Sequence, residues 1–431
     1  MDIKNTGEPT RREFITTGGA VAATTAFAGF SILSSARGQN TDPLKVGLIG
    51  CGGRGKGAAE QCLKAGPNIH LVALADLYKD RLDDCLKYLK DTSNRKEPPP
   101  PNVDVKEDHC FVGFDAYQKL IDSGVDIVLL ATPPGFRPIH FEAAINAGKH
   151  VFTEKPVGVD PSGIQRVLAA GEKAKAKNLS VVAGTQRRHD PSYIETIKRI
   201  HSGEIGEVVA ARCYWNGGTL WKHKKESGWS DMMWQTRNWY YFDWLSGDHI
   251  VEQHVHNLDV VNWIMKAYPA KALGIGGRQV RVEPIYGNIY DHFTIDYEYP
   301  NGMHMMSMCR QQDGTDTNVS EFIVGSKGTS DPKDRISGLK RWKYQGAKVD
   351  PYQQEHVDLI NAIRSGKPIN ETENVAYSTL TAIMGRESTY TGKTVTWDEM
   401  LKSTLDLVPK KFEFGQLPYH AVPTPGKPRP V

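Results

Sequence analysis

The run Gly50-Cys51-Gly52-Gly53-Arg54-Gly55 leaves this chain fewer folds than any other feature. It follows Leu44 to Ile49, a short apolar stretch that reads as a buried parallel strand, and it opens a stretch read as a helix from about Gly57 to Lys64. A second apolar run, Ile69 to Ala75, ends on Asp76. The bare glycine pattern is weak, but in this setting each part has a job. The glycines make the tight turn and let the backbone approach a pyrophosphate at a helix N-terminus, and the acid accepts hydrogen bonds from a ribose. Gly50, Gly52, Gly53, Arg54, Gly55 and Asp76 are therefore expected to hold a dinucleotide. The carboxylate favours NAD, because it repels a 2′-phosphate; Arg54 and Lys79 could offset that, so NADP stays open.

Strand and helix keep alternating through Val125–Ala131, a helix at Ile139–Ala147 and His150–Thr153, the spacing of βαβ units on a parallel sheet. Past Val159 the pattern changes. A helix at Ser162–Ala176 and a strand at Ser180–Gly184 lead into longer alternating runs at 207–215, 270–282 and 292–311, the last split into a hairpin at Tyr299-Pro300-Asn301-Gly302. Further strands are expected at 321–324 and 338–344, and helices at about 355–363 and 374–390. The fold class is α/β: a Rossmann-type domain over 42–158, then an α+β domain over 159–408 with a large, mostly antiparallel sheet. Residues 409–431, rich in proline and glycine, read as an extended arm placed to cross a partner subunit. The aromatic insertion Trp215 to Trp244 suits stacking on a sugar or, equally, a subunit interface.

Residues 1–36 stand apart. Arg11-Arg12 precedes 23 uncharged residues, Phe14 to Ala36, too weakly apolar for a membrane anchor and ending in small residues. They resemble a twin-arginine signal, which implies export to the periplasm of a protein already folded around its cofactor. With 53 basic and 50 acidic residues the net charge is +3, too balanced for a nucleic-acid surface. The mean hydropathy of −0.46 argues against integral membrane spans. Six cysteines without paired spacing read as buried thiols and give no reason to expect a metal.

Three further groups carry chemistry. Ala131-Thr132-Pro133-Pro134 ends a strand where open α/β sheets bind ligands, which adds Thr132 and Pro133 to the cofactor residues; His140, just beyond, is read as structural. Glu154-Lys155-Pro156 ends the next strand, and a half-buried lysine there can orient or exchange a hydroxyl proton. In Glu252-Gln253-His254-Val255-His256-Asn257-Leu258-Asp259, read as one helix, Glu252, His256 and Asp259 share a face, so the carboxylate could tune His256 as a base. The two histidines, two residues apart, point in different directions, which disfavours a metal.

Together these residues resemble the Gfo/Idh/MocA group of nicotinamide-dependent oxidoreductases, of the glucose–fructose oxidoreductase and inositol dehydrogenase kind, over about Leu44 to Trp397. Ala147-Gly148-Lys149-His150-Val151-Phe152-Thr153-Glu154-Lys155-Pro156 carries the resemblance most specifically, and Gly184 to Tyr193 is similar to the segment opening the family's second domain. The resemblance implies a tightly held NAD or NADP contacted by Glu154 and Lys155, with Lys155 and His256 as acid/base residues. It implies Arg188 and Asp259 beside the substrate, a carbohydrate or polyol, and a dimer or tetramer. Glu252 replaces the family's usual aspartate. Two alternatives remain: a glycosidase acting by transient oxidation and elimination, with Tyr193, Tyr214, Tyr240 or Tyr241 as extra base, and a non-catalytic nucleotide-containing binding protein.

Overall fold

Six parallel strands in the order β3-β2-β1-β4-β5-β6 form the first sheet: β1 (Leu44–Ile49), β2 (Ile69–Asp76), β3 (Cys110–Val112), β4 (Ile127–Leu130), β5 (His150–Thr153) and β6 (Val181–Ala183). The computed structural model describes residues 41–429 apart from 92 and 94–97. The leader reading at 1–36 therefore lies outside the described residues. Strands β4 and β6 are buried along their whole length, and β5 from Val151 on, which is why they read as short apolar runs. The strand order reverses between β1 and β4, so their carboxyl ends diverge and open a crevice there.

The first helix begins at Gly53, not 57, because three glycines in its first five residues disguise its start. Strand β3 and the helix Ala116–Asp122 were not expected; three residues are too few to show a period. The domain boundary also moves. Strand β6 pairs with β5, so the first sheet runs to Ala183, past the expected limit at 158. The helix Pro351–Ser365 returns from the far end of the chain, and its Leu359 and Ile360 share a core with Leu48, Ile127 and Phe152. The expected 159–408 domain is thus neither contiguous nor separate.

The second sheet has nine strands, ordered β14-β13-β12-β11-β7-β10-β9-β8-β15. They are β7 (Val208–Gly217), β8 (Lys271–Gly277), β9 (His292–Glu298), β10 (His304–Gln311), β11 (Asn318–Gly325), β12 (Gly328–Asp331), β13 (Arg335–Gly338), β14 (Trp342–Lys343) and β15 (Val395–Thr396). Every neighbouring pair is antiparallel except β7 and β10. The buried helix Thr372–Thr391 runs beneath it, with Ser388 donating to the Ala272 carbonyl at the end of β8.

The C-terminal segment does not reach outward. It folds back along its own chain: Gly415 accepts from the Met232 N–H, and the Tyr290 hydroxyl donates to the Pro423 carbonyl at 2.8 Å. Arg429 ends it in a buried ion pair with Asp243 and Glu387. The six cysteines are unpaired, five of them buried. No helix of the described residues is long and apolar enough to cross a membrane.

Candidate active site

The glycines shape the mouth of the crevice. Gly50 sits at φ +98°, and a Cβ there would meet the Ala131–Thr132 backbone at 2.6–2.8 Å; a Cβ on Gly55 would lie 1.9 Å from the Gly50 carbonyl oxygen. These two let strand, turn and helix touch. Gly52 and Gly53 differ: a Cβ on either meets nothing within 4 Å, because both face a cavity of about 510 Å³. Asp76 lines the same cavity, its carboxylate fixed by the Cys51 N–H at 2.7 Å and the Tyr78 N–H at 2.9 Å. Burial pushes this carboxyl up, while the two N–H bonds pull it back. Thr132 and Pro133 line the opposite wall. His140 is structural, stacked on Tyr117 at 4.3 Å and bonded to the Thr132 hydroxyl at 3.3 Å. A cradle of bare backbone at a helix N-terminus, with an acid on the neighbouring strand, fits a dinucleotide.

Arg54 and Glu154 behave differently from the expectation. They form an ion pair with each other, and Arg54 also reaches Glu355 at 3.1 Å and Gln61 at 2.8 Å beneath the Tyr352 ring. Arg54 borders the cavity, but its donors clamp the glycine turn to β5 and to the returning helix. Lys79 pairs with Asp83 on the surface. The cations that line the crevice beside Tyr78 are Arg81 and Arg237, which the sequence does not single out.

Lys155 leaves the end of β5 and donates to the Glu252 main-chain oxygen at 2.6 Å and to its carboxylate at 3.1 Å. Both side chains are about nine-tenths buried, and the second Glu252 carboxylate oxygen, Oε2, has no hydrogen-bond partner. Glu252 therefore faces Lys155, not His256, and the expected carboxylate–imidazole pair does not form. The reason is a break in the helix. One short helix, His249–Glu252, ends before a second, Val255–Met265, begins, and the His254 N–H bonds five residues back to His249. His254 turns in to bond Ser307 at 2.7 Å. His256 lies against Trp215, ring centres 5.7 Å apart. Burial, then the charges of Lys155 and Arg187, press its pKa well below the ordinary value, so it is a neutral imidazole at neutral pH.

Arg188 forks onto Asp259 with two 2.9 Å contacts, and Ser378 donates to the same carboxylate. The two residues expected beside the substrate instead brace the 186–189 turn to the second helix. Their neighbour Arg187 is paired with Glu321 and lies over Trp215; nothing in the sequence distinguishes the two arginines. Three of the four candidate extra bases are committed elsewhere. Tyr193 donates to Glu321, Tyr241 to the Leu220 carbonyl, and Tyr240 accepts from Gln311. Burial raises all three pKa values, which removes them as phenolate bases; Tyr214 lies on β7.

Burial of neutral imidazoles sets a pH dependence. His140 and His254 are pressed down to about 3, and His256 and His356 go the same way. On unfolding each takes up a proton below about pH 6.5, so each removes roughly 1.4 kcal/mol of stability per pH unit below that point. Glu355, held up by burial and Glu154, and Asp76, Asp160 and Glu321, held up by burial, act in the opposite sense, while the partly buried His150, His201 and His223 act with the four. Calorimetry is expected to show the unfolding midpoint falling from pH 7 to pH 5; a midpoint that rises would refute the neutral assignment.

The aromatic insertion divides between a local core and the crevice wall. Trp234, Phe242 and Trp244 form a core of their own with Phe136 and Leu407, while Trp221, His223, Thr236, Arg237 and Trp239 line the crevice.

A profile described as the GFO/IDH/MocA oxidoreductase family with an NAD-binding Rossmann fold matches residues 44–182, and one for the GFO/IDH/MocA C-terminal domain matches residues 193–331. Inositol 2-dehydrogenase of Salmonella typhimurium is 26% identical over 226 residues, 52% of this chain and 54% of that protein. The chain thus spans about half the length of the curated relatives it matches. The solved aldose-aldose oxidoreductase of Caulobacter crescentus, complexed with glycerol, has a TM-score of 0.64 at 18% identity, covering 82% of this chain and 99% of that one. Scyllo-inositol dehydrogenase of Lactobacillus casei, with bound NAD(H) and scyllo-inositol, scores 0.60 at 20% identity, with coverage of 82% and 99%. At such identities the structural likeness is one of fold. The two profiles together take in well over half of the sequence, and the first contains the whole glycine turn, Asp76 and Lys155: the chain belongs to the Gfo/Idh/MocA oxidoreductase family and carries its NAD-binding Rossmann domain.

Proposed function

We propose that this protein is an NAD-dependent oxidoreductase acting on a carbinol of a sugar or cyclic polyol, exported with its nucleotide already in place. The observation that carries the reading is Lys155: a buried ammonium at the end of β5, held on Glu252 and close enough to His256 to depress its pKa. Nicotinamide, when bound, exchanges hydride with the carbinol carbon. The chain handles the proton. Lys155 has donors to place on the substrate oxygen, and Glu252, with one oxygen unpartnered, can take the proton that Lys155 passes on. His256 is neutral and can accept a hydrogen bond from the same hydroxyl. Asp76 selects NAD at the ribose. The names of the relatives, inositol and aldose enzymes, support a polyol or sugar as substrate. The Arg11-Arg12 leader supports export, since folded, loaded protein suits a compartment without free nucleotide.

Protein recovered from the periplasm of cells making the full chain is expected to release NAD on denaturation, and a panel of polyols and aldoses should change its absorbance at the reduced-nicotinamide band. An empty supernatant, together with no uptake of added nucleotide, would sink the reading. The hydroxyls of Tyr193, Tyr240 and Tyr241 are committed, which leaves Tyr214 as the one candidate base for the elimination route to glycoside cleavage.

A further inference from the structure

We propose that the nucleotide is roofed by side chains of the aromatic insertion and that the C-terminal strap keeps this roof shut. The inference rests on the reading above and adds binding residues to it from outside the Rossmann domain. Trp221, His223, Arg237 and Trp239 line the same cavity as Gly52, Gly53 and Asp76, so anything seated on the glycine turn lies between the two. The roof docks at Tyr78, two residues after Asp76. The Tyr78 hydroxyl bonds Thr236 at 2.6 Å, and the Arg237 guanidinium sits 3.9 Å above the Tyr78 ring while pairing with Asp80.

The strap closes over the back of these walls without entering the cavity. Phe412 stacks on Phe114 and packs on Phe136, at 6.0 and 5.3 Å; Phe414 packs on Phe114 and Tyr78, at 5.0 and 5.9 Å. Phe114, Phe136 and Tyr78 are cavity walls. Further along, the Leu417 N–H donates to Asp231, and Tyr419 lies against Trp234 and Phe242, both within or beside the insertion. The Arg429 ion pair with Asp243 and Glu387 anchors the end. A ligand beneath these side chains is held in part by them, so weakening the roof and strap contacts speeds its release.

The test is nucleotide exchange, read without turnover. Full-length protein carrying NAD is mixed with excess NADH, and energy transfer from tryptophan to bound NADH follows replacement. Phe412→Ala/Phe414→Ala is expected to exchange about tenfold faster or more than the parent, since all four ring contacts of the strap on the cavity walls are lost. Phe414→Ala alone, at a side chain already 46% exposed, should shift exchange the same way and leaves folding intact. Arg237→Ala, which undocks the roof directly, should match the double variant. Exchange within twofold of the parent in all three would overturn the strap and roof. A parent that neither carries nor takes up nucleotide would overturn the oxidoreductase reading itself.

Discussion

Replacing Lys155 by alanine is expected to cut turnover about 10²-fold or more, with the bound nucleotide retained, because a positioned proton handler contributes about 10²–10⁴ to rate. Lys155 meets the requirements of that role. It is buried, it is held at 2.6 and 3.1 Å on Glu252, and its charge already reaches His256. The alanine variant alone is ambiguous, because it strands a buried carboxylate, a change that costs about 3–5 kcal/mol when one partner of a buried pair is removed. Lys155→Arg separates the two roles. Arginine keeps the charge beside Glu252 and so the stability, but at neutral pH it does not give up its proton. Arginine should therefore melt like the parent and turn over like alanine. Parental turnover in the arginine variant, measured under saturating substrate, would reduce Lys155 to a structural cation.

The glycine turn supports a second contrast of comparable size. Gly52→Asp places a carboxylate in open cavity at the N-cap of the first helix, where aspartate is a favoured residue. The fold should tolerate it. A bound pyrophosphate should not: two unit charges 4 Å apart at an effective dielectric near 20 repel by about 4 kcal/mol, about a thousandfold in affinity. Gly55→Ala works the other way, since its methyl would sit 1.9 Å from the Gly50 carbonyl oxygen and must push strand and helix apart. Overpacking of this kind costs about 1–3 kcal/mol. Titration calorimetry with NAD and a melting curve on each variant distinguish them: affinity lost with stability kept for Gly52→Asp, both lost for Gly55→Ala. Undiminished affinity in Gly52→Asp would place the nucleotide elsewhere.

What could be read from the sequence is what depends on near neighbours. A strand, a glycine turn and a helix interact over a dozen residues, so the cradle, Asp76 and the end of β5 at Lys155 are legible. Hairpin β9–β10 is legible for the same reason. The site fails to be legible where distant residues decide. Arg54 looks free to meet phosphate until Glu355, 301 residues on, claims it. The Glu252–His256 pairing assumed a continuous helix, whereas the need to bury His254 against Ser307 breaks it. Arg188 and Asp259 read as substrate contacts through the resemblance, but in the fold each satisfies the other.

The strap runs from Pro409 to Arg429, downstream of every wall it presses upon. During synthesis the glycine turn emerges hundreds of residues earlier, and domains fold as they appear. If the strap retains nucleotide as proposed above, its place at the end of the described chain means that it forms after the glycine turn and the returning helix, so that binding can precede closure during synthesis.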